Sequence, residues 1–128
     1  MLIAGLVFAA VAAAVHVFIF YLESIVWTTP KARAVFGTTE AEAESTKPLA
    51  FNQGFYNLFL AISIVVGIVL VAVGQEEVGA TLVLVGAGSM VAAGGVLMLS
   101  DPSKTQAALK QLVPPAISVI LVVLGIAL

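Results

Sequence analysis

Residues 79–99 read GATLVLVGAGSMVAAGGVLML and contain no ionisable side chain. An α-helix needs about 20 mostly apolar residues to cross a bilayer, so this stretch predicts a transmembrane helix. The rest of the chain has the same character: 62% of its residues are hydrophobic, 9% are charged and the mean hydropathy is +1.20. Soluble domains carry roughly 25% charged residues. The composition therefore excludes a water-soluble fold.

Three further apolar stretches have spanning length and predict helices at about 2–27, 51–74 and 105–128. The first imitates a secretory signal, but no Lys or Arg precedes it and it continues to Trp27. We therefore expect a retained helix. The prediction is an all-α, four-transmembrane-helix bundle that forms a single domain over residues 1–128.

The connection between the first two predicted helices, residues 28–50, is the longest. Pro30 suits the first position of a helix because its φ is fixed and it has no backbone N–H. We predict a short interfacial segment that is helical through Phe36. The connection over residues 75–78 is a tight turn.

Basic residues occur only in or beside the first and third connections. There are five of them: Lys31, Arg33, Lys47, Lys104 and Lys110. The positive-inside rule places these connections in the cytoplasm. We therefore predict a multi-pass protein of the cell membrane with both termini extracytoplasmic. So few basic residues form no patch for nucleic acid.

Small residues form two faces of the predicted helix 79–99. Gly86 and Gly94 lie on one face, and Gly88, Ala92 and Gly95 lie on the other. Such faces let backbones approach closely within lipid. Two interpretations stay open, close packing inside one bundle or a homodimer through this helix.

Two ionisable residues lie inside the first predicted span, His16 and Glu23. Such residues are costly in a membrane and are functional candidates by default. They are seven residues apart, so an α-helix places them on one face, separated by about 10 Å of rise. No second histidine and no thiolate accompanies them, so we predict no metal site and no cofactor.

The second predicted helix enters the membrane from the same side with four polar residues: Asn52, Gln53, Tyr56 and Asn57. Asn57 has a depth between those of Glu23 and His16. We therefore expect Glu23, Asn57 and His16 to form one continuous polar path, direct or through water. Each member also has a structural alternative: a hydrogen bond to a neighbouring helix for His16 and Asn57, or snorkelling for Glu23.

The fourth predicted helix adds Gln111 and the pair Pro114 and Pro115 to the same half of the membrane. A proline inside a helix leaves the carbonyl four residues earlier without a partner. We predict a kinked helix whose free carbonyls line a cavity. The alternative is a span that starts at Pro114, which leaves it too short to cross a bilayer.

Three motifs resemble a bacterial membrane family, the domain of unknown function 1304. They are HVFIFYLESIVW at 16–27 with a following aromatic at Phe36, NQGFYNLFLA at 52–61, and QLVPPA at 111–116. The resemblance covers nearly the whole chain and implies a four-helix membrane fold, but no reaction. It supports these positions as characteristic: His16, Glu23, Trp27, Asn52, Gln53, Tyr56, Asn57, Gln111 and Pro114.

The polar residues all fall in the cytoplasmic half, which indicates a pocket rather than a pore. We therefore predict that those nine residues bind a small hydrophobic or lipid-like molecule. One alternative is a membrane-embedded acid–base enzyme, similar to isomerases, with His16 and Glu23 as its catalytic candidates. Another is a proton-coupled exporter similar to small multidrug resistance proteins, and a purely structural role also stays open.

Overall fold

The computed structural model describes all 128 residues and consists of helices joined by short connections. In chain order the helices are α1 (Leu2–Phe20), which continues into a π-helical turn (Tyr21–Ile25), α2 (Pro30–Phe36), α3 (Glu40–Ala72), α4 (Glu76–Ser100), a 3-10 turn (Pro102–Lys104) and α5 (Thr105–Ala127).

Four of these helices are long and apolar enough to cross a membrane: α1 with its π-turn, α3, α4, and α5 with the 3-10 turn before it. They pack as a ring in which each contacts two neighbours, in the order α1, α3, α4, α5 and back to α1. This arrangement confirms the prediction of an all-α bundle with four candidate membrane spans. The short segment between the first two spans is α2.

Local chemistry explains the ends of α2. The Thr29 hydroxyl accepts a hydrogen bond from the Ala32 backbone N–H at 3.4 Å, and Pro30 occupies the first turn. The helix ends at Gly37, whose φ of 68° lies in the left-handed region. Glycine adopts that conformation without the steric cost that a Cβ imposes.

Helix α3 begins about three turns earlier than the span predicted at 51–74. Thr39 and Glu42 form a capping box: the Thr39 hydroxyl accepts from the Glu42 N–H, and the Glu42 carboxylate accepts from the Thr39 N–H. This cap starts a helix in a polar segment that hydropathy alone assigns to a loop. The helix continues through Pro48, which is exposed.

Helix α5 runs without interruption through Pro114 and Pro115. The helix therefore starts before Pro114, since two and a half turns of it precede that residue.

Small residues bring the long helices into close contact at the end of the bundle that holds both chain termini. A methyl group added to Gly5 lies 2.8 Å from the Val122 nitrogen, and one added to Gly79 lies 2.5 Å from the Gly67 carbonyl oxygen. The Ser118 hydroxyl donates to the Gly5 carbonyl at 2.9 Å. Van der Waals contact at this distance, rather than a hydrophobic driving force, holds helices together in lipid.

The two small-residue faces of α4 have different surroundings. Gly86 packs on Ile64 and Gly94 packs on Leu112, so this face lies inside the bundle. Nothing lies within 4 Å of a methyl group placed on Gly88 or Gly95. The interpretation as internal packing holds for the first face, and a homodimer through the second stays a prediction.

Candidate functional site

The π-turn after α1 presents Glu23 toward α3. Its backbone is closed by an i→i+5 hydrogen bond, in which the Val26 N–H donates to the Tyr21 carbonyl at 3.2 Å. A π-turn holds more residues per turn than an α-helix and often occurs at functional sites. It changes the helical register along the stretch that contains Glu23.

Glu23 is joined to α3 by a direct hydrogen bond. The Asn57 side-chain amide donates to the Glu23 carboxylate at 2.7 Å, and both residues are half-buried. This contact forms the first link of the predicted polar path.

Close approach of the two backbones makes this contact reachable. Gly54 is buried, and a methyl group added there would collide with the Ser24 hydroxyl and lie 3.1 Å from the Glu23 Cβ. The Ser24 hydroxyl donates to the Phe51 carbonyl at 2.8 Å. The absence of a side chain at Gly54 therefore lets α1 and α3 come close at this point.

Trp27 connects the end of the π-turn to α2 and α3. Its indole N–H donates to the Thr46 hydroxyl at 3.2 Å, and its ring lies 4.9 Å from the Phe36 ring, at 57° between planes. The Thr46 hydroxyl in turn donates to the Glu42 carbonyl at 2.7 Å. The indole is therefore fixed on both its polar and its apolar side.

A groove of about 580 Å³ opens beside these residues. Five residues predicted from the sequence line it: Glu23, Trp27, Asn52, Gln53 and Tyr56. The other lining residues are Phe36, Thr38, Thr46, Leu49, Ala50 and Lys104. We call this space the polar groove.

A second groove, of about 520 Å³, runs along the exposed face of α3. Its walls are Phe51, Phe55 and Phe59, together with Asn52 and Tyr56. The last two residues also line the polar groove, so the two spaces adjoin. We call this second space the aromatic groove.

Three predicted site residues lie elsewhere. His16 is buried, at 2% exposure, and its Nδ1 bonds to the Ala12 carbonyl one turn earlier at 2.9 Å. That hydrogen bond lies within its own helix, and no direct hydrogen bond joins Asn57 to His16, so the link through water stays a prediction. Gln111 and Pro114 are half-buried in α5 and line neither groove.

Sequence reasoning missed Lys104 and Thr38 as lining residues of the polar groove. Lys104 counted there only as a marker of topology. Its ammonium lies 4.0 Å from the Asp101 carboxylate, at the end of the 3-10 turn that precedes α5. The Thr38 hydroxyl oxygen is buried without a hydrogen-bond partner. No local pattern marks either position, because both are far in sequence from Glu23.

The polar groove contains few charged side chains. Glu23 is the one carboxylate in its lining and Lys104 the one cation. No hydrogen bond joins Glu23 to His16, so the two catalytic candidates do not form a direct acid–base pair.

A family model described as "Protein of unknown function (DUF1304)" matches residues 10–123, which is most of the chain. No curated protein and no solved structure matches the chain. The family description assigns no activity.

Proposed function

We propose that this chain, which belongs to the DUF1304 family, binds a small hydrophobic or lipid-like molecule in the polar groove. The observation that carries the proposal is the junction of the two grooves. Hydrogen-bonding groups line one, phenylalanine rings line the other, and Asn52 and Tyr56 belong to both. A molecule with a polar head and an apolar tail matches a polar groove that adjoins an apolar one.

The size and the polar lining support the same proposal. Small-molecule sites have volumes of about 300–1,000 Å³, mostly apolar walls and a few polar groups that orient the ligand. The polar groove has about 580 Å³ and offers the Asn52 and Gln53 amides and the Glu23 carboxylate.

The distribution of charge supports a position in the cytoplasmic leaflet of the cell membrane. The groove lies where α1 runs toward α2, which carries Lys31 and Arg33. Lys47 follows in the first turns of α3, and Lys104 lines the groove. Cytoplasmic connections carry the excess of Lys and Arg. Both termini then lie outside the cell, and the ligand enters from the inner leaflet or from the cytoplasm.

Binding is favoured over catalysis because Glu23 has no second acid or base beside it in the groove. General acid–base chemistry needs each group within hydrogen-bond reach of the proton that it moves. The proton-coupled exporter stays the third candidate, since one intramembrane carboxylate is enough to carry a proton.

Native mass spectrometry of protein purified in a mild detergent tests the proposal. Leu49 lines the groove and is 71% exposed, so Leu49→Trp fills the groove without disturbing the core. The matched control is Leu99→Trp, at a residue of α4 that is 87% exposed and outside both grooves. We expect a bound hydrophobe on the wild type and on the control, and its loss from Leu49→Trp.

Equal occupancy of all three proteins would reject the groove as the binding site. Protein-dependent conversion of the bound molecule to a new mass would favour the enzyme. Substrate-dependent proton movement across liposomes that contain the protein would favour the exporter.

A further inference from the structure

Glu23 has no cationic partner within the protein. Its carboxylate accepts a hydrogen bond from Asn57, and the single ion pair of the molecule joins Lys104 to Asp101. Lys31, the basic residue nearest in sequence, places its ammonium 5.7 Å from the centre of the Phe18 ring instead. A half-buried carboxylate without a counter-charge is costly in a membrane, and a bound cation would offset that cost.

Three aromatic rings line the same groove as this carboxylate: Trp27, Phe36 and Tyr56. Trp27 and Phe36 form a corner, with ring centres 4.9 Å apart and planes inclined at 57°. The hydrogen bond to Thr46 holds the indole in place. Aromatic faces attract ammonium groups, and rings grouped with a carboxylate recognise alkylated ammonium ions.

We infer that the occupant of the polar groove carries an ammonium group, held by the Glu23 carboxylate and the faces of Trp27, Phe36 and Tyr56. This inference rests on the proposed function and specifies its ligand class. The ammonium can belong to the headgroup of a membrane phospholipid or to a free amine. Lys104, the cation of the lining, is placed to contact the phosphate of a zwitterionic headgroup.

Trp27 is the only tryptophan of the chain, so its fluorescence reports directly from the groove. The protein, in the uncharged detergent dodecyl maltoside, is titrated with dodecyltrimethylammonium, dodecylphosphocholine, choline and dodecyl sulfate. We expect saturable changes in Trp27 emission with the first two, and none with dodecyl sulfate. Saturation by choline at the same concentrations would identify a free amine as the source, and a requirement for the alkyl tail would identify an amphiphile.

Two pairs of variants locate the charge contacts. Glu23→Gln should weaken the binding of dodecyltrimethylammonium on the order of tenfold, whereas Glu77→Gln, at the opposite end of the bundle, should not change it. If the ligand is a zwitterionic lipid, Lys104→Gln should weaken dodecylphosphocholine but not dodecyltrimethylammonium, and Lys110→Gln should weaken neither. Phe36→Leu keeps the apolar volume and removes a ring, so a weakening of about threefold or more tests the aromatic contribution even if Glu23→Gln fails to fold.

Equal affinity for dodecyl sulfate, or unchanged affinity in both Glu23→Gln and Phe36→Leu, would overturn the inference. A hydrophobe retained in native mass spectrometry together with either result would leave the proposed function standing and reject only the ammonium. If the protein carries no hydrophobe in native mass spectrometry and no ammonium compound changes Trp27 emission, the groove itself is rejected as a binding site.

Discussion

The two ends of the bundle differ in the side chains that lie beside their helix contacts. At the end that holds the chain termini, Gly5 meets Val122 and Gly79 meets Gly67 at distances that leave no room for a methyl group. At the other end, Glu23 and Asn57 join α1 to α3 by a hydrogen bond, and a groove stays open beside them. Gly54 brings α1 and α3 into close contact at this end as well, so the two ends differ in the polar side chains beside the contact and not in the contact itself. The tightest small-residue contacts with the chain termini and the proposed binding site therefore lie at opposite ends of the bundle.

The largest expected effect is a difference in thiol labelling, because the two ends should face opposite sides of the membrane. The chain has no cysteine, so single cysteines introduced at Glu77 and at Lys104 are the only targets of a thiol reagent. Because the basic residues all lie toward one side, we expect Glu77→Cys to be labelled from outside intact cells and Lys104→Cys only after the cells are opened. Labelling of both from the same side would contradict the four-span topology.

The next largest effect is on the unfolding stability at the tightly packed end. Gly79→Ala places its methyl group 2.5 Å from the Gly67 carbonyl oxygen, so we expect destabilisation of about 1–3 kcal/mol, measured as thermal or denaturant unfolding in detergent. Gly88→Ala, in the same helix, is the control, because its methyl group meets nothing within 4 Å. Equal stability of Gly79→Ala and the wild type would show that the helices are not in contact there. Destabilisation by Gly88→Ala would indicate a second copy on that face.

The smallest effect tests the polar end. Glu23→Ala and Asn57→Ala should be non-additive in unfolding, with a coupling of about 0.5–1.7 kcal/mol, as for hydrogen bonds between transmembrane helices. His16 bonds within its own helix, so His16→Ala should be additive with Glu23→Ala. Additive effects of Glu23→Ala and Asn57→Ala would contradict the contact between these two residues. Coupling between Glu23→Ala and His16→Ala would support the longer path through His16.

Prediction from sequence succeeded where the signal is local and failed where it depends on register. The interfacial helix from Pro30 to Phe36 follows from proline chemistry within a few residues. The contact of Glu23 with Asn57 follows from two depths counted along helices that enter from one side. The π-turn at Tyr21–Ile25 leaves no mark in the apolar pattern, so the helical register at Glu23 is visible in the structure and not in the sequence.

The sequence by itself determined the number of spans, their order and the concentration of polar groups toward one end. Hydropathy and charge are sums over neighbouring residues, so they can be read without a fold. Only the tertiary structure decided that Thr46 bonds the Trp27 indole, that Lys104 lines the groove and that the His16 Nδ1 bonds to the Ala12 carbonyl. Those outcomes depend on side-chain direction and on contacts between distant segments, which a one-residue change in helical register is enough to alter.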